Sequence, residues 1–168
     1  MMSAVEFLKA CSQGSLTATA YAENCLAEID RTDSRILAWQ YLDREQIAKD
    51  AEQADTAPAV LALRGVPVGI KDIIDTADAP CEYGSAVYTG HRPAADAGLI
   101  TTLRQAGAVI MGKTVTTEFA YLEKSRTRNP HQLAFSPGGS SSGSAAAVAA
   151  GTTELLSSWS SASNSSAA

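Results

Sequence analysis

Read for the alternation of apolar and polar positions, the first third of the chain is helical. Val5, Leu8 and Cys11 recur at helical spacing over residues 3–12, and Gly14 stands where a helix would end. Thr17 offers an N-cap hydroxyl for a second helix to about residue 31, with Ala20, Cys25 and Ile29 on its inward face. Ile36 to Leu42 reads as a short strand, and Asp43 starts a third helix to about Asp55 that turns Ile47 and Ala51 inward. Trp39 reads as a core or partner-facing aromatic.

After the small-residue connection at 56–62 the pattern changes. In Gly65-Val66-Pro67-Val68-Gly69-Ile70-Lys71-Asp72-Ile73-Ile74-Asp75, apolar residues almost enclose Lys71. Such a lysine either reaches solvent or pairs with Asp72, or it sits inside, where burial disfavours the charged form and lowers its pKa. A helix over 96–106, with Ala97, Ile100, Leu103 and Ala106 along one side, precedes a buried strand from Ala108 to Met111. This alternation predicts an α/β fold. Residues 107–114 also satisfy the letters of a phosphate-binding loop, G-x-x-x-x-G-K-[ST]. That loop needs a strand before the first glycine and free N–H groups between the glycines. Here a helix precedes Gly107 and a β-forming run follows it, so Lys113-Thr114 is expected to close a core strand, with nucleotide binding as the alternative.

The run Gly138-Gly139-Ser140-Ser141-Ser142-Gly143-Ser144 leads directly into Ala145-Ala146-Ala147-Val148-Ala149-Ala150-Gly151. On composition it is a flexible Ser/Gly linker or a loop that aims hydroxyls and N–H groups at one point before a helix; linkers do not ordinarily turn into Ala-Val helices. Composition narrows the function classes. With 168 residues, 45% of them hydrophobic, the chain can bury one domain-sized core. A net charge of −5 provides no basic face for nucleic acid, and Lys124, Arg126 and Arg128 form only a local cluster. No apolar run reaches the ~18 residues of a membrane span and no signal peptide opens the chain, so a cytoplasmic protein is expected. Cys11, Cys25 and Cys81 lack disulfide or zinc spacing, and His91 and His131 lack metal-ligand partners. Neither a metal nor a cofactor is expected.

Three segments, GVPVGIKDIID at 65–75, GAVIMGKTVTTEFA at 107–120 and NPHQLAFSPGGSSSGSAAAVAAG at 129–151, resemble the amino-terminal portion of the amidase signature family, closest in motif to bacterial malonamidase-type amidases. The resemblance covers roughly residues 1–151. It implies the amino-terminal part of an α/β fold, a mixed β-sheet covered by helices, and hydrolysis of a small-molecule carboxamide to carboxylate and ammonia through an acyl-serine. It also implies a Ser-cisSer-Lys triad. Matched by motif, Lys71 is the general base and Ser140 the proton bridge, held by a cis peptide after Gly139, with Gly138, Gly139, Ser141 and Gly143 shaping the loop. Homodimers are common in the family, and no nucleic-acid or membrane partner is implied.

The same resemblance expects a nucleophilic serine in a Gly-Gly-Ser turn 24 positions beyond Ser140, where this chain has Asn164. An Asn side chain cannot serve as the nucleophile, and Ser163 and Ser165 lack the glycine pair that shapes the oxyanion turn. Seven of the last twelve residues are serine. Residues 152–168 are therefore expected to be a disordered tail outside the family, left by a truncation, frameshift or sequence error. A fragment of this kind is expected to be inactive, a noncatalytic remnant or interaction fragment. It should also expose sheet edges around 108–112 and the Ala145–Ala150 helix, with poor solubility as the consequence.

Overall fold

The computed structural model describes residues 2–58, 60–153 and 155–157. Among these residues five α-helices and four strands follow in the order α1 (Ala4–Ser12), α2 (Ala18–Ile36), β1 (Trp39–Tyr41), α3 (Arg44–Thr56), β2 (Pro67–Lys71), α4 (Gly98–Gln105), β3 (Val109–Thr114), α5 (Ser142–Ala149) and β4 (Leu155–Ser157), with short 3-10 turns at Ala86–Tyr88 and Glu118–Ala120. Each of the first three helices is opened by a side-chain cap. Ser3 and Glu6 form a reciprocal capping box, the Thr17 hydroxyl accepts from Ala20 N, and the Asp43 carboxylate accepts from Gln46 N. α2 runs five residues past its expected end and stops where Leu37 turns left-handed, with φ at +59°.

The buried face of α1 differs from the expected one. Phe7 is fully buried and stacks on Tyr21 with ring centroids 4.8 Å apart, whereas Val5 is 76% exposed. At 100° per residue Val5 lies nearly opposite Phe7, and the larger ring decides which side packs inward.

The strands form one mixed sheet in the order β1-β3-β2-β4. β2 runs parallel to β3 and to β4, while β1 is antiparallel to β3. β2 and β3 are buried at every residue, as the near-continuous apolar runs around them require. β3 is therefore an interior strand, so the expected exposed edge around 108–112 is not formed, and Ala146 and Ala147 of α5 are also fully buried. The packed structure continues past Gly151. Thr152 and Thr153 are buried, Trp39 Nε1 donates to Thr152 Oγ1 at 3.2 Å, and β4 pairs with β2 through residue 157. The boundary expected at 151 thus falls several residues early, because Thr152 and Thr153 carry hydroxyls that satisfy the buried carbonyls of Ala147 and Pro67. Residues 158–168 lie outside the described residues.

Candidate active site

Register explains how Lys71 comes to face the serine loop. It ends β2 directly beside Thr114 of β3, and side chains at paired positions of a sheet share a face. Thr114 Oγ1 lies 2.7 Å from Ser144 Oγ, so this shared face is the one covered by the serine loop and α5. Lys71 is 1% exposed, and its Nζ donates to Ser140 Oγ at 2.6 Å. It neither reaches solvent nor pairs with Asp72; burial pushes its pKa below the ordinary lysine value. Asp72, one residue on, turns to the other face and pairs with Lys113 instead.

Alternate serines of the loop are tied to three different elements. Ser140 meets Lys71 of β2, Ser142 Oγ accepts from Ser125 Oγ at 2.5 Å, and Ser144 meets Thr114 of β3. The Ser140 carbonyl accepts from Thr117 N at 3.0 Å and from Thr116 Oγ1 at 3.3 Å. The Gly139–Ser140 peptide is cis. Gly138 has φ at +94°, in the region that favours glycine, and Gly143 lets α5 press against the backbone of Ala38 and Val115, where a Cβ would collide. Ser141 is the N-cap residue of α5, makes no capping bond, and keeps its Oγ buried without a hydrogen-bond partner among the described residues.

Ser140 is only half-buried, so Lys71 approaches it from the interior while its other side remains open. A cavity of about 420 Å³ opens next to the loop, and Thr116 and Ser125, which hold Ser140 and Ser142, belong to its lining together with Gln40, Glu82, Ser85 and Arg126. Thr116, Thr117 and Ser125 escaped the sequence reading. The signal available for them was the density of hydroxyl residues over 114–127. His91 and His131 are exposed, and among the described residues no hydrogen bond joins either of them to Lys71 or Ser140. Among the described residues, no three His, Cys, Asp or Glu side chains gather as a metal site. Asn164 lies outside the described residues.

Of the segment 107–114, residues 109–114 are strand β3, whose Val109 N–H bonds to Val66 O just ahead of β2, and Lys113 Nζ is spent on the Ile74 carbonyl at 2.8 Å. No phosphate-cradling loop forms there.

A family model, Amidase, matches residues 20–156. The chain belongs to the amidase signature family. The A-type subunit of the glutamyl-tRNA(Gln) amidotransferase of Chloroflexus aggregans is 41% identical over 141 residues, 78% of this chain and 29% of the relative. The native peptide amidase of Stenotrophomonas maltophilia superposes with a TM-score of 0.81 at 32% identity, over 92% of this chain and 35% of that one. A chain of a vestigial protein complex that reveals the evolutionary origins of an s-triazine catabolic enzyme gives a TM-score of 0.86 at 32% identity, over 90% and 36%. This amidase signature chain thus spans about a third of the length of these relatives. Its family match extends through residue 156, in keeping with β4 rather than with a boundary at Gly151.

Proposed function

We propose that this chain carries the base and proton bridge of an amide-hydrolysing site and, as it stands, does not turn amides over. The observation that carries the reading is the 2.6 Å contact between buried Lys71 Nζ and half-buried Ser140 Oγ. A neutral Lys71 amine takes the Ser140 hydroxyl proton while Ser140 takes one from the serine that attacks the carboxamide carbon. When the C–N bond breaks, Ser140 returns a proton to the departing nitrogen, which leaves as ammonia, and water releases the acyl-serine as carboxylate. Burial of Lys71 supports its role as the base because it holds the amine closer to its neutral form. The attacking serine is the part this chain lacks, since Asn164 stands in its place.

The substrate class is a small-molecule carboxamide, as the family supports. The named relatives diverge in substrate, from a glutamyl-tRNA(Gln) amidotransferase to a peptide amidase, and the reading selects none of them. No described helix is long and apolar enough to cross a membrane. The test is ammonia release from malonamic acid and from simple aryl and alkyl amides by the purified chain, with Lys71→Ala as the control. No Lys71-dependent release is expected; detectable release that disappears in Lys71→Ala would overturn the claim of inactivity.

A further inference from the structure

Behind Lys71, on the face turned away from Ser140, two buried ions meet. Lys113 Nζ lies 3.3 Å from Asp72 Oδ1, with side-chain exposures of 0% and 1%. The contact is an ion pair without a hydrogen bond at Oδ1, so it contributes charge attraction and not a directed bond. Around it the turn that follows β2 is fastened from every side. Lys113 Nζ donates to the Ile74 carbonyl at 2.8 Å, Asp72 Oδ2 accepts from Glu82 N at 3.2 Å, and Asp72 N donates to Thr114 O at 2.9 Å. The Lys71 carbonyl itself accepts from Ile73 N at 2.8 Å and Ile74 N at 3.0 Å. A single cation on β3 therefore holds both ends of the turn 72–74, and Lys71 is the residue from which that turn departs.

Stability alone does not account for this arrangement. Desolvation of two buried ions commonly cancels their attraction, and well-packed apolar pairs of the same volume are often as stable. What an apolar pair cannot do is fasten the Ile74 carbonyl and the Glu82 N–H. We propose that Asp72 and Lys113 are positioning residues for Lys71: from the far face they hold the 71–74 turn so that Nζ stays in its buried seat against Ser140 Oγ. The inference rests on the reading of Lys71 as the base. The pair makes no bond to Ser140; it acts through the backbone of β2, β3 and the 72–74 turn, and by the Asp72–Glu82 bond it also reaches one residue of the cavity wall.

The test is competitive labelling of the purified chain with trace acetic anhydride across pH, read by mass spectrometry of the peptide containing Lys71, alongside thermal melts. Wild type, Asp72→Asn and the double variant Asp72→Leu/Lys113→Met are compared. In wild type the Lys71 labelling midpoint must lie below that of the exposed lysines; if it does not, the base reading fails before any variant is considered. In the folded double variant, which removes both charges together, the midpoint is expected to rise by about one pH unit or more toward the ordinary lysine value, a roughly tenfold change in the neutral fraction at a given pH; Asp72→Asn, which leaves Lys113 an unpaired cation, is expected to move it as well. A merely structural pair would lower the melting temperature and leave the midpoint in place. A folded variant with the wild-type midpoint overturns the proposal, and so does failure of both variants to fold, which would assign the pair to stability.

Discussion

Replacing Gly143 by alanine tests whether α5 is seated as closely as the serine loop requires. A Cβ at this position would lie 2.8 Å from Val115 O and closer still to Val115 N and Ala38 O. Carbon atoms in ordinary contact stay roughly 3.5–4.0 Å apart, and all three obstacles are backbone atoms, so no rotamer change relieves the overlap. The helix must back away from the exit of β3. Retreat breaks the bond from Gly143 N to Val115 O, now 2.9 Å, and pulls on the Thr114–Ser144 contact at 2.7 Å. Overpacking a closed site costs about 1–3 kcal/mol, and leaving a buried backbone group unpaired adds about 1–3 kcal/mol. At about 2–4 °C per kcal/mol for a chain of this size, the melting temperature should fall on the order of 10 °C. Differential scanning calorimetry at fixed protein concentration reads the shift. Gly98→Ala is the control, because nothing lies within 4 Å of its added Cβ and its position at the start of α4 tolerates alanine. If Gly143→Ala melted within about 2 °C of Gly98→Ala, the close seating of α5 on the Ala38–Val115 backbone would be wrong.

Three further outcomes follow from the same contacts. Lys71 has its pKa lowered by burial, so the unfolded chain binds the extra proton first as pH falls, and the stability that the neutral amine contributes above about pH 10.4 is lost downward through the folded pKa. Lys71→Met should therefore flatten the rise of unfolding free energy with pH on the alkaline side; an unchanged slope in urea titrations would refute it. Burial raises the Cys81 thiol from 9.0 to about 11, so the stability it contributes is complete below pH 9 and lost as pH climbs toward 11. Cys81→Ala should remove about 3 kcal/mol of that alkaline loss, read as a difference in pH dependence between the two proteins. Thr152 Oγ1 accepts from Trp39 Nε1 at 3.2 Å and donates to Ala147 O at 2.9 Å, so Thr152→Val orphans a buried indole N–H. It should cost about 1–3 kcal/mol by urea denaturation, and an unaffected midpoint would argue that the chain is not packed beyond Gly151.

Much of the scaffold was legible because local signals and tertiary demands agree. Thr17 and Asp43 cap helices where their hydroxyl and carboxylate predict, and Ile47, Ala51 and Ile100 pack inward as their spacing requires. The exceptions have a common cause. Val5 is as apolar as Leu8, yet the stack of Phe7 on Tyr21 from another helix chose the face. Serine-rich composition suggested that order stops at Gly151, but the two threonines that follow find carbonyls belonging to α5 and β2, partners 5 and 86 residues away. Composition reports what a segment can do alone and is blind to such partners.

The candidate site divides along the same line. Lys71 and Ser140 could be named from sequence because each sits in a motif whose spelling survives out of context, although they lie 69 residues apart. The residues that hold them in place could not. Lys113 closes a core strand, as its run of β-forming residues predicts, and the segment around Lys71 leaves it open to reach solvent, pair with Asp72 or turn inward; only the parallel register of β2 on β3, with Ile70 beside Lys113 and Lys71 beside Thr114, shows which side each takes. Alternation then requires that a lysine facing Ser140 be followed by an aspartate facing away from it, and that the lysine before Thr114 face away too. Two charges on the far side of a buried sheet have little choice but each other, so the pairing follows from the register as directly as the Lys71–Ser140 contact does. The pair is therefore part of the way this sheet presents Lys71, and a slip of β3 by one residue would turn Lys113 onto the serine-loop face beside Lys71 and leave Asp72 without its cation.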